Sequence, residues 1–275
     1  MNTYMCKQNL HTHSIYCDGK DIPEEMVLKA IELGFDTIGF SGHSYVTDDC
    51  IWCMTEEKTE QYKKDVNLLK EKYKDRINIL CGIEFDIFST YDFYDYDYVI
   101  GSTHILKVGG KYVDVDESAD TTGMVINTYF DGDGMKYARA YYNQVAELHK
   151  YGDFDIVGHF DLVSKYSETH NFFDVDSKEY KEAALEALHA LSEKKRVFEV
   201  NTGAISRGYR TTPYPAPFIL KEMKKLGCTV ILTSDCHDRN FLDCHYKEAI
   251  ELIKSCGFDS IGVMKNGKIT EEKIY

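Results

Sequence analysis

An α/β fold built around a parallel barrel is the architecture that the sequence predicts. Apolar strand-like runs alternate with helix-like segments in about seven units without linkers, which is typical of a parallel β-sheet. Histidines and carboxylates fall at the C-terminal ends of these runs. In a parallel barrel those ends meet at one rim, whereas an open sheet concentrates its site at one switch point. The pattern therefore favours a closed barrel, which we expect to form a single domain over residues 1–275.

The individual elements follow from the spacing of apolar residues and from the turn residues between them. We predict strands over Cys6–His13, Thr37–His43, Ile77–Asp86, Tyr98–His104, Ile156–His159, Val197–Asn201 and Thr229–Asp235. We predict helices over Pro23–Leu33, Glu56–Tyr73, Met135–Tyr151, Ser177–Lys195, a segment after Pro215, and Asp243–Ser255. The first helix is clearly delimited, because Pro23 suits its first turn and Gly34 its end.

Two segments depart from this alternation. Ile105–Gly134 is rich in Gly, Asp and Thr, and we predict that it is irregular. Near the end of the chain, Ser260–Met264 precedes an Asn266-Gly267 turn and a short strand. This pattern predicts a terminal hairpin.

The composition is that of an ordinary globular protein, with 43% hydrophobic residues, 28% charged residues and a formal net charge of −14. An acidic surface disfavours binding to nucleic-acid phosphates, and no apolar stretch approaches the roughly 20 residues of a membrane span. The first four residues lack the basic and apolar segments of a secretory signal. Nine scattered cysteines suit reduced thiols. We therefore expect a cytoplasmic protein that binds neither nucleic acid nor membrane.

Polar pairs of one kind occur near both ends of the chain. One residue separates His11 from His13, and one separates Asp235 from His237. Because alternate residues of a strand point to the same face, we expect the members of each pair to project together. Imidazoles and carboxylates gathered from distant segments are the ligands that a transition-metal site needs.

The complete set of candidate ligands shares a position at or just beyond a strand end. The set is His11, His13, Asp18, His43, Glu84, His104, His159, Asp235 and His237. It exceeds the roughly four to six ligands of one ion and suits two or three ions with a bridging carboxylate. Nitrogen and oxygen donors without thiolate favour Zn, Mn or Fe over Ca or Mg.

Each candidate taken alone has a simpler interpretation. A lone strand-end histidine is more often satisfied by a backbone carbonyl, and Glu84 alone would more often cap a helix or form a salt bridge. Asp18 precedes Gly19, and Asp-Gly is a common turn. The metal interpretation depends on the coincidence that six of the ten histidines lie at strand ends. We assign no role to the other four, which are His149, His170, His189 and His245.

The order of these residues resembles the polymerase and histidinol phosphatase (PHP) family over nearly the whole chain. The similar local sequences are Asn9-Leu10-His11-Thr12-His13-Ser14, Gly82-Ile83-Glu84-Phe85-Asp86, Gly158-His159-Phe160-Asp161-Leu162 and Ser234-Asp235-Cys236-His237. The resemblance implies a distorted (β/α)7 TIM-like barrel with a trinuclear metal centre at the C-terminal ends of the strands. It implies His11, His13, Glu84 and Asp235 for one ion, Asp18, His43 and His237 for a second, and Glu84, His104 and His159 for a third.

The resemblance also implies hydrolysis of a phosphomonoester. Clustered divalent ions lower the pKa of bound water toward about 7 and neutralise the phosphoryl oxygens. We expect in-line attack on phosphorus by a hydroxide that bridges the ions, without a covalent enzyme intermediate. Asp235 and His237 are candidates for proton transfer to the leaving alcohol, and the alternative is that they only position metal.

A phosphomonoester also needs a cationic clamp. Arg207, after the strand Val197–Asn201, is the first candidate because a guanidinium matches phosphate oxygens bidentately. Lys165 is the second, and the alternative for both is a solvated loop side chain. The segment Arg207–Pro217 resembles that of the family's histidinol-phosphate phosphatases. It implies hydrolysis of L-histidinol phosphate to L-histidinol and phosphate, in histidine biosynthesis.

Two loop segments are candidates for covering the site. Tyr91–Tyr98 and Ile105–Gly134 are rich in aromatic or acidic residues that suit cationic groups, although the simpler interpretation of the Asp residues in Tyr91–Tyr98 is surface charge. Cys50 and Cys53 have CxxC spacing without a second pair, so we interpret them as two incidental thiols, with a redox pair as the alternative. We expect Trp52, between them, to line the mouth of the site.

Three other functions stay open. The chain could hydrolyse another small phosphomonoester or a nucleotide, which a panel of substrates would reveal. It could be an accessory module of the kind found in larger polymerases, which would bind few ions. It could be an amidohydrolase on a similar barrel, whose carbonyl substrate would not require Arg207.

Overall fold

The computed structural model describes residues 6–47, 50–89, 95–195 and 197–274. Its strands are β1 (Gln8–Asn9), β2 (Thr37–Phe40), β3 (Asn78–Asp86), β4 (Tyr98–Ser102), β5 (Ile105–Val108), β6 (Lys111–Asp114), β7 (Ile156–Val157), β8 (Val197–Asn201), β9 (Thr229–Thr233), β10 (Ser260–Lys265) and β11 (Lys268–Lys273). Its α-helices are α1 (Pro23–Glu32), α2 (Glu56–Tyr73), α3 (Ala119–Tyr129), α4 (Gly134–Glu147), α5 (Lys178–Ser192), α6 (Gly203–Ser206), α7 (Pro217–Lys225) and α8 (Tyr246–Ser255).

Seven strands form one parallel sheet in the order β1-β2-β3-β4-β7-β8-β9. The two edges of this sheet meet just beyond β1 and β9, where Thr12 and Cys236 pair in parallel. The His13 amide donates to the Cys236 carbonyl at 2.8 Å, and the Cys236 amide donates to the His11 carbonyl at 3.1 Å. The sheet is therefore a nearly closed, distorted (β/α)7 barrel, and the predicted fold class is confirmed.

Tyr98 fills the middle of the barrel. Its side chain is fully buried, and its hydroxyl donates to the Leu10 carbonyl, with the Phe40 carbonyl 3.1 Å away. Gly39 and Gly82 leave room for this ring, because a Cβ atom would lie 2.4 Å from the Tyr98 hydroxyl at Gly39 and 2.3 Å from the ring at Gly82. An aromatic side chain therefore fills the barrel interior at this level, so that no pore passes through it.

The helices pack against the outside of the barrel, each through one apolar face. In α2, whose predicted bounds are confirmed, Tyr62, Val66 and Leu69 recur at helical spacing and are buried. The Thr55 side chain accepts a hydrogen bond from the Lys58 amide and so caps the first turn. None of the helices in the described part of the chain combines the length and the apolar character needed to cross a membrane.

The segment Ile105–Gly134 contains an antiparallel hairpin of β5 and β6 followed by α3, so the prediction of an irregular segment was wrong. Gly109 and Gly110 adopt φ angles of 58° and 77°, which a tight hairpin turn requires and glycine provides. Ser118 then caps α3 by accepting a hydrogen bond from the Thr121 amide. Because β5 begins directly after His104, the hairpin rises from the C-terminal rim of the barrel.

The predicted terminal hairpin is confirmed by the antiparallel pair β10–β11. Its turn residues Asn266 and Gly267 have φ angles of 51° and 71°. The Gln8 side chain donates to the Gly262 carbonyl and accepts from the Met264 amide, both at 2.9 Å. These bonds hold the hairpin against the end of the barrel where β1 begins.

We expect Gly82→Ala to lower the free energy of unfolding by about 1–3 kcal/mol, because the added methyl group overpacks against the Tyr98 ring. The double variant Gly82→Ala/Tyr98→Leu should lose less than the sum of the two single changes, since the smaller side chain removes the overlap. Urea unfolding of the four chains measures this coupling. Strictly additive losses would show that Gly82 does not serve to accommodate Tyr98.

Candidate metal centre

The candidate ligands meet at the C-terminal rim because nearly all of them lie in or directly follow barrel strands. Glu84 lies within β3. The strands β1, β2, β4, β7 and β9 end before their predicted boundaries and lead into His11 and His13, His43, His104, His159, and Asp235 and His237, respectively. These side chains therefore lie on the turns of the rim. Parallel strands bring such turns together whatever their separation in sequence.

Glu84 is the centre of this cluster. Its Oε2 atom lies 3.1 Å from His11 Nε2 and 2.9 Å from His43 Nδ1. Its Oε1 atom lies 2.9 Å from His159 Nε2 and 3.3 Å from His104 Nε2. The two oxygens thus face different pairs of imidazoles, which is the arrangement of a bridging carboxylate.

Asp235 approaches the cluster from the opposite side of the barrel. Its Oδ1 atom lies 3.2 Å from His13 Nε2 and 3.6 Å from His11 Nε2. The Asp235 backbone has a φ angle of +46°, an uncommon conformation for a non-glycine residue. A Cβ atom on Gly203 would lie 2.8 Å from Asp235 Cβ, so α6 can begin there only with glycine. The position of Asp235 therefore depends on the segment at Gly203 as well as on its own strand.

Asp18 joins the cluster from the loop after β1. It lies 3.1 Å from His237 Nε2, 3.6 Å from His43 Nε2 and 3.7 Å from His13 Nδ1. Its side chain is one-third exposed, more than any other carboxylate of the cluster. The turn interpretation of Asp18 and its placement among the imidazoles are compatible, because the turn is what directs the side chain inward.

The cluster fits a metal centre by its own chemistry. Within the described chain, four buried atoms that face one another have no hydrogen-bond partner: His11 Nε2, His13 Nε2, His43 Nδ1 and Glu84 Oε2. Four overlapping groups bring donor atoms within 4.8 Å of one another: His13, Asp18, His43 and His237; His11, Glu84 and His159; His11, His13 and Asp235; and His43, Glu84 and His104. Unpartnered buried polar atoms are costly, and divalent ions would satisfy them. The structure thus brings all nine predicted ligands together.

Burial disfavours charge in this cluster, and the neighbouring groups decide which residues stay charged. Although burial opposes it, the His11 imidazole holds the pKa of the Glu84 carboxyl well below its usual range. Also against burial, Glu199 and Glu84 raise the pKa of His11 well above its usual value. Burial, reinforced by His237, lowers the pKa of His13 to about 3. Ionised carboxylate and neutral imidazole are the forms that coordinate metal, so the lowered pKa values of Glu84 and His13 suit metal binding.

Glu199 is a residue of the site that the sequence analysis missed. It is buried in β8, with its Oε1 atom 2.6 Å from His11 Nδ1, and its Oε2 accepts from the His159 amide at 2.7 Å. A carboxylate on the far nitrogen of a metal-binding histidine fixes the orientation and tautomer of the ring. The signal in the sequence is a charged residue between Phe198 and Val200 in an otherwise apolar strand.

Arg207 follows α6 and lies over Asp235. Its Nη2 atom is 3.0 Å from Asp235 Oδ2, and its Nη1 atom donates to the Asp235 carbonyl at 2.9 Å. The Nη1 atom is also 3.0 Å from His237 Nδ1. Although burial opposes both effects, Asp235 raises the pKa of Arg207 and Arg207 holds the pKa of Asp235 well below its usual range. The alternative of a solvated loop arginine is therefore wrong.

Lys165 is also buried, so the solvated alternative is wrong for this residue as well. Its Nζ atom donates to the Asp116 carbonyl and lies 2.8 Å from Asp116 Oδ2. The Tyr209 ring lies 4.8 Å from the same atom. Although burial opposes it, Lys165 lowers the pKa of Asp116 to about 2. The charge of Lys165 is thus balanced by Asp116, an acid that the sequence analysis did not single out.

Both cations line one cavity of about 250 Å³ at the rim. Its other lining residues include the candidate ligands Asp18, His43, His104, His159, Asp235 and His237. Trp52 lines it too, as expected, but Cys50 and Cys53 form a disulfide bond, so the interpretation of two incidental thiols was wrong. Of the stretch Tyr91–Tyr98, residues 91–94 lie outside the described residues.

Clustered imidazoles and carboxylates at the rim of a (β/α)7 barrel define a metal-dependent barrel enzyme. The sequence profile of the PHP domain matches residues 9–203, more than half of the chain. The chain belongs to the PHP domain family. The matched range contains the candidate ligands from His11 to His159, whereas Arg207, Asp235 and His237 lie beyond it.

Similarity to individual proteins extends past the matched range. The chain is 26% identical to the histidinol-phosphatase of Lactococcus lactis subsp. lactis (strain IL1403), over 98% of each sequence. It is 24% identical to the histidinol-phosphatase of Bacillus subtilis (strain 168), over 90% of this chain and 99% of that protein. The crystal structure of histidinol phosphate phosphatase from L. lactis, complexed with Zn, L-histidinol and phosphate, superposes with a TM-score of 0.72 and 25% identity, over 96% of this chain and 98% of that one.

We expect Glu199→Gln to weaken metal binding about 10- to 100-fold, because the amide no longer fixes the His11 ring through a charged hydrogen bond. Competition with a chelator, followed by quantification of the bound metal, measures the change. The matched control is Glu193→Gln, at an exposed position beyond α5. Equal metal affinity of the two variants would contradict the orienting role of Glu199.

Proposed function

We propose that the chain is a metal-dependent phosphomonoesterase that hydrolyses L-histidinol phosphate to L-histidinol and phosphate. The observation that carries this proposal is a cluster of nine candidate ligands, six of which line one cavity together with two cations. Proteins named histidinol-phosphatase that align over nearly the whole chain support the choice of substrate. This activity would place the chain in histidine biosynthesis.

We propose three divalent ions, held by the ligand sets that the resemblance to the PHP family implies. His11, His13, Glu84 and Asp235 would hold the first ion, Asp18, His43 and His237 the second, and Glu84, His104 and His159 the third. The unpartnered buried atoms and the two-sided contacts of Glu84 support this assignment. Zinc in the L. lactis structure supports Zn, while nitrogen and oxygen donors also fit Mn and Fe.

The ions, when bound, would activate water and neutralise the phosphoryl oxygens. Arg207 and Lys165 would bind the phosphate, because both present N–H groups to the cavity beside the ligands. The contact of Arg207 with Asp235 also orients the guanidinium before the substrate arrives. We assign to Asp235 or His237, at the same wall of the cavity, the relay of a proton from the attacking water to the leaving alcohol, because the ionised Asp235 carboxylate can donate a proton only after it has accepted one.

Phosphate release from L-histidinol phosphate tests the function, with bound metals quantified on the same sample. We expect rapid release that a chelator abolishes and that added Zn or Mn restores, with about three ions per chain. A metal-loaded chain that cleaves other phosphomonoesters but not L-histidinol phosphate would contradict the substrate. A chain with few ions and no phosphatase activity would instead indicate an accessory module.

We expect Arg207→Lys to lower kcat/KM for L-histidinol phosphate about 100-fold, because an ammonium keeps the charge but loses the bidentate geometry. The metal content of the variant should equal that of the wild type, which separates phosphate binding from support of Asp235. Arg139→Lys is the matched control, at a partly exposed position on α4 paired with Glu186. Full activity of an Arg207→Ala variant would favour a carbonyl substrate and amidohydrolase chemistry.

A further inference from the structure

A second cavity adjoins the one at the metal ligands. It has a volume of about 500 Å³ and lies between the loop after β2 and the β5–β6 hairpin. Its lining includes Val46, Ile105 and Tyr112. The two cavities share four lining residues, which are Ile51, Trp52, Asp114 and Glu117. A molecule bound at the metal ligands would therefore extend past these residues into a partly apolar space.

Trp52 forms the partition between the two cavities. Its ring lies 4.8 Å from the His43 ring and 5.3 Å from the His104 ring, centroid to centroid. Its Nε1 atom donates to Asp114 Oδ1 at 3.3 Å. The indole thus contacts ligands of the proposed metal centre on one side and the hairpin on the other.

Covalent and hydrogen-bond contacts on both sides of Trp52 restrain the loop that carries it. The Cys50–Cys53 disulfide closes it, and Cys53 is buried against Val46 and Ile105. The Met54 amide donates to the His43 carbonyl at 3.1 Å. These restraints fix the indole relative to the rim before any ligand binds, which lowers the entropy cost of binding.

Asp114 and Glu117 make this partition acidic, although Lys111 also lines the second cavity. Within the described chain, neither Asp114 nor Glu117 forms an ion pair, whereas the nearby Asp116 is paired with Lys165. Burial and the proximity of Asp116 raise the pKa of Asp114. The cationic side of the cavity, at Arg207 and Lys165, suits a phosphate, and the side at Asp114 suits a cation.

We propose that Trp52 and Asp114 determine specificity by binding the organic part of the phosphoester, a cationic aromatic group. This group would occupy the second cavity, which adjoins the one at the metal ligands. The indole supplies an aromatic face for a ring or a cation, and the carboxylate supplies the opposite charge. Val46, Ile105 and Tyr112 provide apolar surface for the ring to pack against. This inference rests on the proposed function, since L-histidinol carries both an imidazole and an amine.

The test compares L-histidinol phosphate with 4-nitrophenyl phosphate, an aromatic ester without a cation, on the metal-loaded chain. The measured quantity is kcat/KM for L-histidinol phosphate divided by kcat/KM for 4-nitrophenyl phosphate. We expect Asp114→Asn to lower this ratio at least about tenfold, because only L-histidinol phosphate loses a charged interaction. Asp114→Glu, which keeps the charge, should restore part of the ratio. The matched control Asp120→Asn, at an exposed position on α3, should leave the ratio unchanged.

A binding measurement separates this subsite from general damage to the fold. Trp52 is the only tryptophan of the chain, so its emission reports this partition alone. L-histidinol should change that emission, and Asp114→Asn should shift the midpoint of the titration at least about tenfold to higher concentration.

The outcomes distinguish the two proposals. If the wild type releases no phosphate from L-histidinol phosphate, the proposed function fails and this inference fails with it. If the wild type is active but Asp114→Asn keeps both the ratio and the titration midpoint, only the inference is overturned. The inference would also be overturned if Trp52 emission did not change at L-histidinol concentrations that inhibit hydrolysis.

Discussion

Burial of negative charge at the rim of the barrel is the constraint on which the rest of the structure depends. Glu84 and Asp235 are 1% and 5% exposed, and a buried carboxylate is costly unless an opposite charge meets it. The surrounding imidazoles and Arg207 supply part of that charge, but they leave buried atoms of His11 and His13 without partners. Divalent ions would satisfy the carboxylates and the imidazoles together. Side chains that would each destabilise the fold alone are therefore compatible as a group.

The barrel meets this constraint with strands that contribute unequally. β8 supplies none of the nine candidate ligands, yet its Glu199 contacts the His11 ring and the His159 backbone. The interior below the site is occupied by Tyr98 and by apolar side chains, which keeps water from reaching the rim from below. β8, which carries no candidate ligand, thus positions His11 after β1 and His159 after β7. This division explains why a carboxylate in an apolar strand is tolerated.

The fold and most of the candidate site could be predicted because their signals are local. An apolar run followed by a histidine or carboxylate places that residue at the rim of a parallel barrel wherever the run occurs in the sequence. The pairing of Lys165 with Asp116 could not be predicted, because it joins two loops that the sequence does not relate. Glu199 carries a local signal, but its role appears only when His11 lies beside it. The β5–β6 hairpin could also have been predicted, because Gly109-Gly110 is a local signal for a two-residue turn.

The proposed reaction and the proposed selectivity belong to different parts of this molecule. The candidate ligands lie on or near the ends of barrel strands, whose positions the hydrogen-bonded sheet fixes to one another. Trp52 and Asp114 lie on the loop after β2 and on the β5–β6 hairpin, which pack on the rim without belonging to the barrel. Loops of this kind vary in sequence more freely than strands. A chain with the same ligands and a different loop and hairpin would therefore keep phosphoester hydrolysis and accept a different alcohol.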